Sequence, residues 1–152
     1  MSKQKLNKFK SAVEAIAEIQ CCYQPGLQAL GTHRKKIKLA TPVLCDGSVE
    51  IDECVKLIYP NDSRWDYCLS YKGNVYFIEV HTANTREVRA VLKKLQWLKD
   101  WLIAKAPQLN SLKAKQPYYW VQSNNYGILA NSPQARSIAQ VGLKPISKLQ
   151  LK

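Results

Sequence analysis

Apolar residues at helical spacing predict three helices. A first helix is predicted over residues 3–20 and the longest one over residues 85–104, where apolar side chains recur every three or four positions. Either Asn131 or Ser132 is expected to cap a last helix that has Pro133 at or near its first position and runs to about residue 141. The basic tail beyond it, residues 144–152, is expected to be loosely held.

Alternating apolar and polar positions predict strands between these helices. A strand is expected over residues 36–44 and is followed by a turn at 45–48. Residues 49–58 fit either a strand or a short helix. Residues 117–123 and 126–130 are expected to form a strand and its return strand.

The strongest strand signal is a hairpin formed by residues 64–71 and 75–83. Both runs are rich in β-branched and aromatic residues, and they flank the dipeptide Gly73-Asn74. Glycine and asparagine tolerate the positive φ angles that a tight hairpin turn requires. We therefore predict a two-residue turn at Gly73-Asn74.

That turn brings three polar side chains to one face of the hairpin. Glu79 and His81 lie on one face of the second strand, because side chains alternate along a strand. In this register Cys68 pairs with Glu79 and Asp66 pairs with His81, and paired residues point to the same face. A loop longer by one residue would move Asp66 to the opposite face.

Two acids and an imidazole in an apolar hairpin need an explanation, because unpaired charges are costly to bury. One explanation is a divalent-metal site, since magnesium prefers carboxylate oxygens and keeps waters for chemistry. The other is a strand end where Asp66 and His81 form an ion pair near solvent. The spacing alone leaves both open.

Composition agrees with one folded domain over residues 1–152. The chain is 46% hydrophobic, and it contains no apolar run near the roughly 18–20 residues that a membrane span needs. Its basic N-terminal stretch is followed by neither an apolar segment nor a cleavage site. We therefore expect a cytoplasmic protein without a membrane partner.

The five cysteines show no Cys-x-x-Cys spacing, so they do not indicate a zinc site. Cys68 lies inside a predicted strand and is expected to be a small buried apolar residue. We expect the thiols to be reduced and structural.

A large excess of positive charge points to a polyanionic partner. The 23 Lys and Arg residues against 11 Asp and Glu residues give a net charge of +12. Such an excess favours nucleic acid through phosphate contacts, although it also serves solubility. Two groups are candidates for phosphate contacts, and each could equally be a solvated surface: Arg34, Lys35 and Lys36 in a loop, and Arg86, Arg89 and Lys93 on the long helix.

The order of predicted elements resembles the PD-(D/E)XK superfamily, the restriction-endonuclease-like fold. That family has an αβββαβ core, in which a mixed central sheet is flanked by helices, and an acid on the second strand precedes an acid-x-lysine on the third. Asp66 and Glu79-Val80-His81 match this pattern in element order and at few positions in sequence. The resemblance implies an α/β fold in which Asp66 and Glu79 hold Mg²⁺ or Mn²⁺.

The resemblance also implies further roles and one departure. Many members add a glutamate from the first helix, and Glu14 or Glu18 could supply it. The signature lysine is replaced by His81, which can transfer a proton near neutral pH but is not a permanent ammonium.

Two hypotheses about function follow, with the enzyme favoured. In the first, the chain is a metal-dependent endonuclease in which Asp66, Glu79 and His81 are catalytic and DNA is the favoured substrate. In the second, it is an inactive nuclease-fold protein that binds nucleic acid or serves as an assembly subunit. A protein-interaction module with incidental charge is a third reading, and a homodimer is one candidate assembly.

Overall fold

A four-stranded mixed sheet flanked by helices forms the centre of the computed structural model, which describes residues 6–152. The helices are α1 (Lys8–Ala15), α2 (Ile51–Val55), α3 (Val88–Ala104), α4 (Pro107–Leu112) and α5 (Pro133–Gln140). The strands are β1 (Ile37–Leu39), β2 (Cys45–Glu50), β3 (Tyr67–Tyr71), β4 (Asn74–His81), β5 (Lys113–Gln122) and β6 (Leu149–Leu151). Three 3-10 segments cover Gln28–Lys36, Pro42–Leu44 and Thr85–Glu87. The predicted α/β class with a mixed, helix-flanked sheet is confirmed.

The central sheet has the strand order β2-β3-β4-β5. The pairs β2–β3 and β3–β4 are antiparallel, whereas β4 and β5 are parallel. The chain crosses from β4 to β5 through α3 and α4, as a parallel connection requires. β1 and β6 form a separate parallel pair.

The two faces of the sheet are buried in two different apolar cores. Val75 and Phe77 on β4 join the core formed with α1 and α3. Ile78 and Val80, on the alternate face, join the second core with β1 and β6. The predicted alternation along this strand is therefore confirmed.

The hairpin turn lies one residue earlier than predicted. Its two turn residues are Lys72 and Gly73, with φ of 51° and 81°, and Tyr71 pairs with Asn74. The pairing of Cys68 with Glu79 was wrong, since Cys68 pairs with Phe77. Because this changes the register by two residues, every side chain keeps its predicted face.

The helix around α3 follows the prediction most closely. The 3-10 segment Thr85–Glu87 leads into Val88–Ala104, which together match the predicted range 85–104. The Asn84 side chain caps this helix by accepting a hydrogen bond from the Glu87 backbone N–H at 3.2 Å. The first helix is shorter than predicted, ending at Ala15, and the predicted start at residue 3 lies outside the described residues.

Several predictions outside these elements were wrong. The predicted turn at 45–48 belongs to β2, and the predicted strand at 36–44 is only three residues long before a 3-10 segment. Residues 126–130 are not a strand. The C-terminal tail contains β6, whose leucines at 149 and 151 are buried.

One pair of cysteines is cross-linked in the structure. Cys22 and Cys54 form a disulfide with a Cα–Cα distance of 6.3 Å, so the prediction of reduced thiols was wrong for this pair. Cys68 is a free, buried cysteine as predicted.

No helix in the described part of the chain is long and apolar enough to cross a lipid bilayer.

Candidate functional site

The hairpin ends in a cluster of charged side chains, which we call the carboxylate cluster: Asp66, Glu79, His81, Glu87 and Lys94. Asp66 precedes β3, and Glu79 and His81 close β4. Tyr67 pairs with Ile78, so the next residues along the ladder, Asp66 and Glu79, come to face each other.

Asp66 and Glu79 are joined through each other's backbone. The Asp66 N–H donates to Glu79 Oε1 at 3.1 Å, and the Val80 N–H donates to Asp66 Oδ2 at 3.1 Å. Glu79 is completely buried at 0% exposure, and the Asp66 side chain is 19% exposed. These bonds fix both carboxylates where the strand ladder ends.

Lys94 of α3 supplies the positive charge inside the carboxylate cluster. Its Nζ lies 2.5 Å from Glu79 Oε2 and 3.6 Å from Asp66 Oδ1. Burial disfavours the charged ammonium, but Glu79 and Asp66 outweigh it and raise the pKa of Lys94. One ammonium therefore bridges two carboxylates.

His81 is held at both ring nitrogens. Nδ1 lies 3.2 Å from Glu79 Oε2, and Nε2 lies 3.2 Å from Glu87 Oε2. The hydrogen bond with Glu79 raises the pKa of His81, burial lowers it, and the hydrogen bond with Glu87 raises it further, with a net increase. The two carboxylates therefore stabilise the protonated imidazole relative to that of a free histidine.

The raised pKa of Asp66 shows that the negative charges of the carboxylate cluster are not fully balanced by its cations. Burial is the main cause that raises the pKa of Asp66 to about 7, and the neighbouring Glu79 raises it further. Lys94 and the Val80 N–H lower it without offsetting the rise. An additional cation at this place would relieve the same imbalance.

The donor set fits a hard divalent cation, although it is not already a complete metal site. Asp66 and Glu79 offer carboxylate oxygens, which Mg²⁺ and Mn²⁺ prefer. Within residues 6–152, no group of three or more His, Cys, Asp or Glu side chains is arranged to hold a metal ion. A cation on both carboxylates would therefore have to share Glu79 with Lys94.

The predicted acids of the first helix lie elsewhere. Glu14 is exposed. Glu18 accepts hydrogen bonds from the Tyr59 hydroxyl at 2.7 Å and from Trp101 Nε1 at 3.0 Å. Among the hydrogen bonds of the described residues, none joins either glutamate to Asp66. The third acid of the carboxylate cluster is instead Glu87, from the 3-10 segment before α3.

One predicted basic group lies at the same end of the sheet as the carboxylate cluster. The 3-10 segment Gln28–Lys36 carries it: Lys36 Nζ donates to the Gln122 carbonyl at 3.0 Å, and Gln122 pairs with His81. Arg34 and Lys35 of the same segment are exposed.

The other predicted basic group lies around the start of α3. Arg86 is in the 3-10 segment before the helix, and Arg89 and Lys93 are on the helix that carries Lys94; all three are exposed. Five of the six predicted cations are therefore exposed, and Lys36 is half-buried.

Lys94 is the residue that sequence reasoning missed. It lies three residues after Val91 and four before Leu98, both of which are buried. A lysine at a position of the apolar stripe indicates a buried counter-charge, and that signal was available.

The chain was compared with protein-family models, with curated proteins and with solved structures, and none of the three comparisons finds a match. The functional argument therefore depends on the geometry of the carboxylate cluster.

Proposed function

We propose that the chain is a Mg²⁺- or Mn²⁺-dependent nuclease of the restriction-endonuclease-like class, with DNA as the favoured substrate. The observation that carries the proposal is the meeting of Asp66, Glu79 and Lys94 at one end of the central hairpin. Carboxylates that can hold a metal ion and an ammonium that can stabilise developing negative charge are groups that metal-assisted phosphodiester hydrolysis can use.

The topology supports this class. The elements α1, β2, β3, β4, α3 and β5 run in the order αβββαβ, with an antiparallel meander followed by a crossover to a parallel strand. Asp66 stands at the beginning of the second core strand and Glu79 near the end of the third. Both positions agree with the signature of that superfamily.

In this proposal Asp66 and Glu79 hold the metal ion. A bound Mg²⁺ would polarise the phosphate and lower the pKa of the attacking water. The backbone bonds from Asp66 and Val80 orient the two carboxylates without rotamer freedom. Preorganised ligands of this kind reduce the cost of binding.

Lys94 would supply the ammonium that the signature expects at position 81. It reaches the carboxylates from α3 instead of from β4. Once the metal shares Glu79, the ammonium can contact a phosphate oxygen that gains negative charge. Lys94, and not His81, is then the residue that stabilises this charge.

His81 would act as a positioning residue. Both of its ring nitrogens face carboxylates, so neither is a free proton acceptor. Its contact with Glu79 limits the orientation of that carboxylate. We therefore replace the general-base hypothesis for His81 with an orienting role.

Substitution in the carboxylate cluster tests the proposal. We expect Asp66→Asn to abolish Mg²⁺-dependent cleavage of plasmid and linear DNA and to remove Mg²⁺ binding in calorimetric titration. Lys94→Met should retain metal binding and lower kcat by about 10²–10³-fold, the magnitude typical of removing one group that stabilises transition-state charge. Glu53→Gln, an exposed acid on α2, serves as the control. Cleavage that persists in Asp66→Asn would refute the proposal.

One observation favours a second candidate, the inactive nucleic-acid-binding protein. Lys94 and His81 already contact Glu79 Oε2, and Lys94 also lies beside Asp66 Oδ1, so a metal ion would compete with these cations for the carboxylates. An inactive protein would bind DNA with a steep salt dependence and would neither bind Mg²⁺ nor cleave. Calorimetry and the cleavage assay separate the two candidates.

The proposal also includes a cytoplasmic location and a homodimer, and each can be tested separately. The Cys22–Cys54 disulfide is of a kind that persists in oxidising compartments, which weighs against the cytoplasm. The redox state of that pair in cells therefore tests the location, and light scattering with and without DNA tests the dimer.

A further inference from the structure

We propose that a groove on β5 binds single-stranded nucleic acid. The groove, which we call the Tyr–Lys groove, is lined by Tyr76, Lys115, Tyr118, Tyr119 and Lys144. It lies at the hairpin-turn end of the sheet, since Val75 pairs with Lys113, whereas the carboxylate cluster lies where His81 pairs with Gln122. Binding here can be measured without metal, so this inference does not depend on the nuclease proposal.

A large bulge in β5 creates the groove. The register with β4 changes from Val75↔Lys113 to Phe77↔Tyr118, so residues 114–117 of β5 oppose a single residue of β4. A bulge bends its strand and redirects the side chains it carries. Here it exposes Lys115 and Gln116 on the outer strand of the sheet.

The bulge separates two adjoining cavities of about 350 and 390 Å³ that share Lys115, Gln116 and Tyr119. The two cavities lie side by side along the strand, and we treat them together as the Tyr–Lys groove. Its length follows the N-terminal half of β5, so an extended strand of nucleotides can occupy it.

The tyrosines of the groove differ from four other tyrosines of the chain in the use of their hydroxyls. Tyr23, Tyr59, Tyr67 and Tyr71 each use the hydroxyl in a hydrogen bond. Among the hydrogen bonds of the described residues, none involves the hydroxyl of Tyr76, Tyr118 or Tyr119. These three rings are also only partly buried. They therefore offer ring surface and a free hydroxyl to a ligand.

Tyr76 and Tyr119 form a tilted aromatic pair on one face of the sheet, whereas Tyr118 packs beside Phe77 on the other face. The centroids of Tyr76 and Tyr119 lie 6.1 Å apart with their planes 44° apart. Aromatic side chains bind unpaired bases by stacking, whatever the base, because every base has a π-face. A double helix does not present such faces, so the rings favour single strands.

The charge of the groove favours a polyanion. Lys115 and Lys144 line it, and no Asp or Glu is among the described residues that do. Backbone phosphates beside stacked bases match this combination of cations and rings. An acidic peptide would use the lysines but not the rings, and we treat it as an outcome of the test.

The test measures fluorescence anisotropy of labelled oligothymidylate in EDTA. We expect Tyr119→Leu to weaken binding by about 5- to 150-fold, since one stacked base contributes roughly 1–3 kcal/mol. Tyr119→Phe retains the ring and should stay within about twofold of wild type. Binding of the matched duplex should not respond to either substitution. Thermal melting of each variant confirms that it is folded.

The lysines are tested through salt dependence. The double variant Lys115→Ala/Lys144→Ala should reduce the slope of log K against log salt by about 1.4, or 0.7 for each phosphate that is no longer neutralised. Lys56→Ala is the control and should leave the slope unchanged; it removes an exposed cation directly after α2, which follows the opposite edge strand β2.

Three results would overturn the inference. The first is unchanged oligothymidylate affinity in Tyr119→Leu. The second is tighter binding of a polyglutamate peptide than of oligothymidylate of equal length. The third is self-association of the lysine double variant with unchanged affinity, because lysines on an edge strand also prevent strand-to-strand aggregation.

Discussion

At the scale of single residues, Lys94 determines how the carboxylate cluster is balanced. Its removal leaves Glu79 buried and without an ammonium. We expect Lys94→Met to lower the free energy of unfolding at pH 7 by about 3 kcal/mol, as breaking a buried ion pair does. Urea denaturation of both proteins measures this difference.

The penalty for Lys94→Met should shrink as the pH falls, since protonated carboxyls no longer need the ammonium. Lys93→Met, on the exposed neighbouring residue, should stay within about 0.5 kcal/mol of wild type. Equal losses in the two variants would contradict a special role for Lys94.

Asp66 predicts a second pH effect with a definite sign. Its pKa is raised from 3.8 to about 7 in the folded protein, so the folded state holds its proton over a range where the unfolded chain has lost it. The retained proton therefore stabilises the folded state. This stabilisation is complete below about pH 4, is lost as the pH rises to 7 and amounts to about 4 kcal/mol at most. The stability of wild type relative to Asp66→Asn should therefore fall between pH 4 and 7.

Chemical denaturation at several pH values measures that difference. Asp100→Asn, on the exposed part of α3, is the matched control. His81 also has a raised pKa, and its contribution is lost as the pH rises above about 6.5, so a decline at higher pH should persist in Asp66→Asn. If the stability of wild type relative to Asp66→Asn rises between pH 4 and 7, burial does not raise the pKa of Asp66 in the folded protein.

The sequence patterns identified three residues of the carboxylate cluster but did not predict which of them contact each other. Strand alternation identified Asp66, Glu79 and His81 as neighbours on one face. It paired Asp66 with His81, whereas the ladder brings Asp66 opposite Glu79. Lys94 was not found because a charged residue on a helix is ordinarily solvated, and its burial depends on the helix packing over the hairpin.

At the scale of elements, a substitution in the hairpin turn is expected to stabilise the protein. Lys72 adopts a φ of 51°, in the left-handed region that disfavours residues with long side chains. Asparagine tolerates this conformation, so Lys72→Asn should stabilise the protein by about 0.5–1 kcal/mol. Thermal unfolding monitored by circular dichroism checks the change.

Gly73 provides the opposite control. Its φ is 81°, and no atom lies near the place where a Cβ would be added, so Gly73→Ala introduces backbone strain alone. We expect a loss of about 1 kcal/mol or more. A stabilising Gly73→Ala would mean that the turn differs from the one described.

The elements that the sequence missed have local physical reasons. Residues 45–48 have a turn composition, but Gly47 is needed because a Cβ there would meet the Tyr23 ring at 2.4 Å. β6 is short, and only its pairing with β1 makes it a strand. Such close approaches and pairings depend on residues far away in the chain, so local spacing cannot reveal them. α3 was found because its long apolar stripe is a local signal.

At the scale of the whole molecule, the disulfide joins two distant parts of the chain. It connects the residues after α1 with α2 across 32 positions of sequence. Cross-linking a loop of this length is expected to stabilise the fold by about 3–4 kcal/mol. The double variant Cys22→Ser/Cys54→Ser should lose a similar amount in urea denaturation.

Cys21→Ser is the control for the disulfide. Cys21 is a free, exposed thiol beside the cross-linked Cys22. Its substitution should leave stability within about 0.5 kcal/mol of wild type. Peptide mapping of the oxidised protein should recover the pair Cys22–Cys54; recovery of Cys21 in the cross-link instead would refute the assignment.

The hydrogen bond from the Val80 amide to Asp66 also provides a spectroscopic probe of the carboxylate cluster. The chemical shift of that amide proton depends on the charge of the carboxylate that accepts it. In ¹⁵N-labelled protein, the Val80 cross-peak should therefore move as Asp66 titrates and move again when Mg²⁺ is added, whereas in Asp66→Asn it should respond to neither. One resonance would thus report protonation and metal binding in the intact protein before any substrate is known.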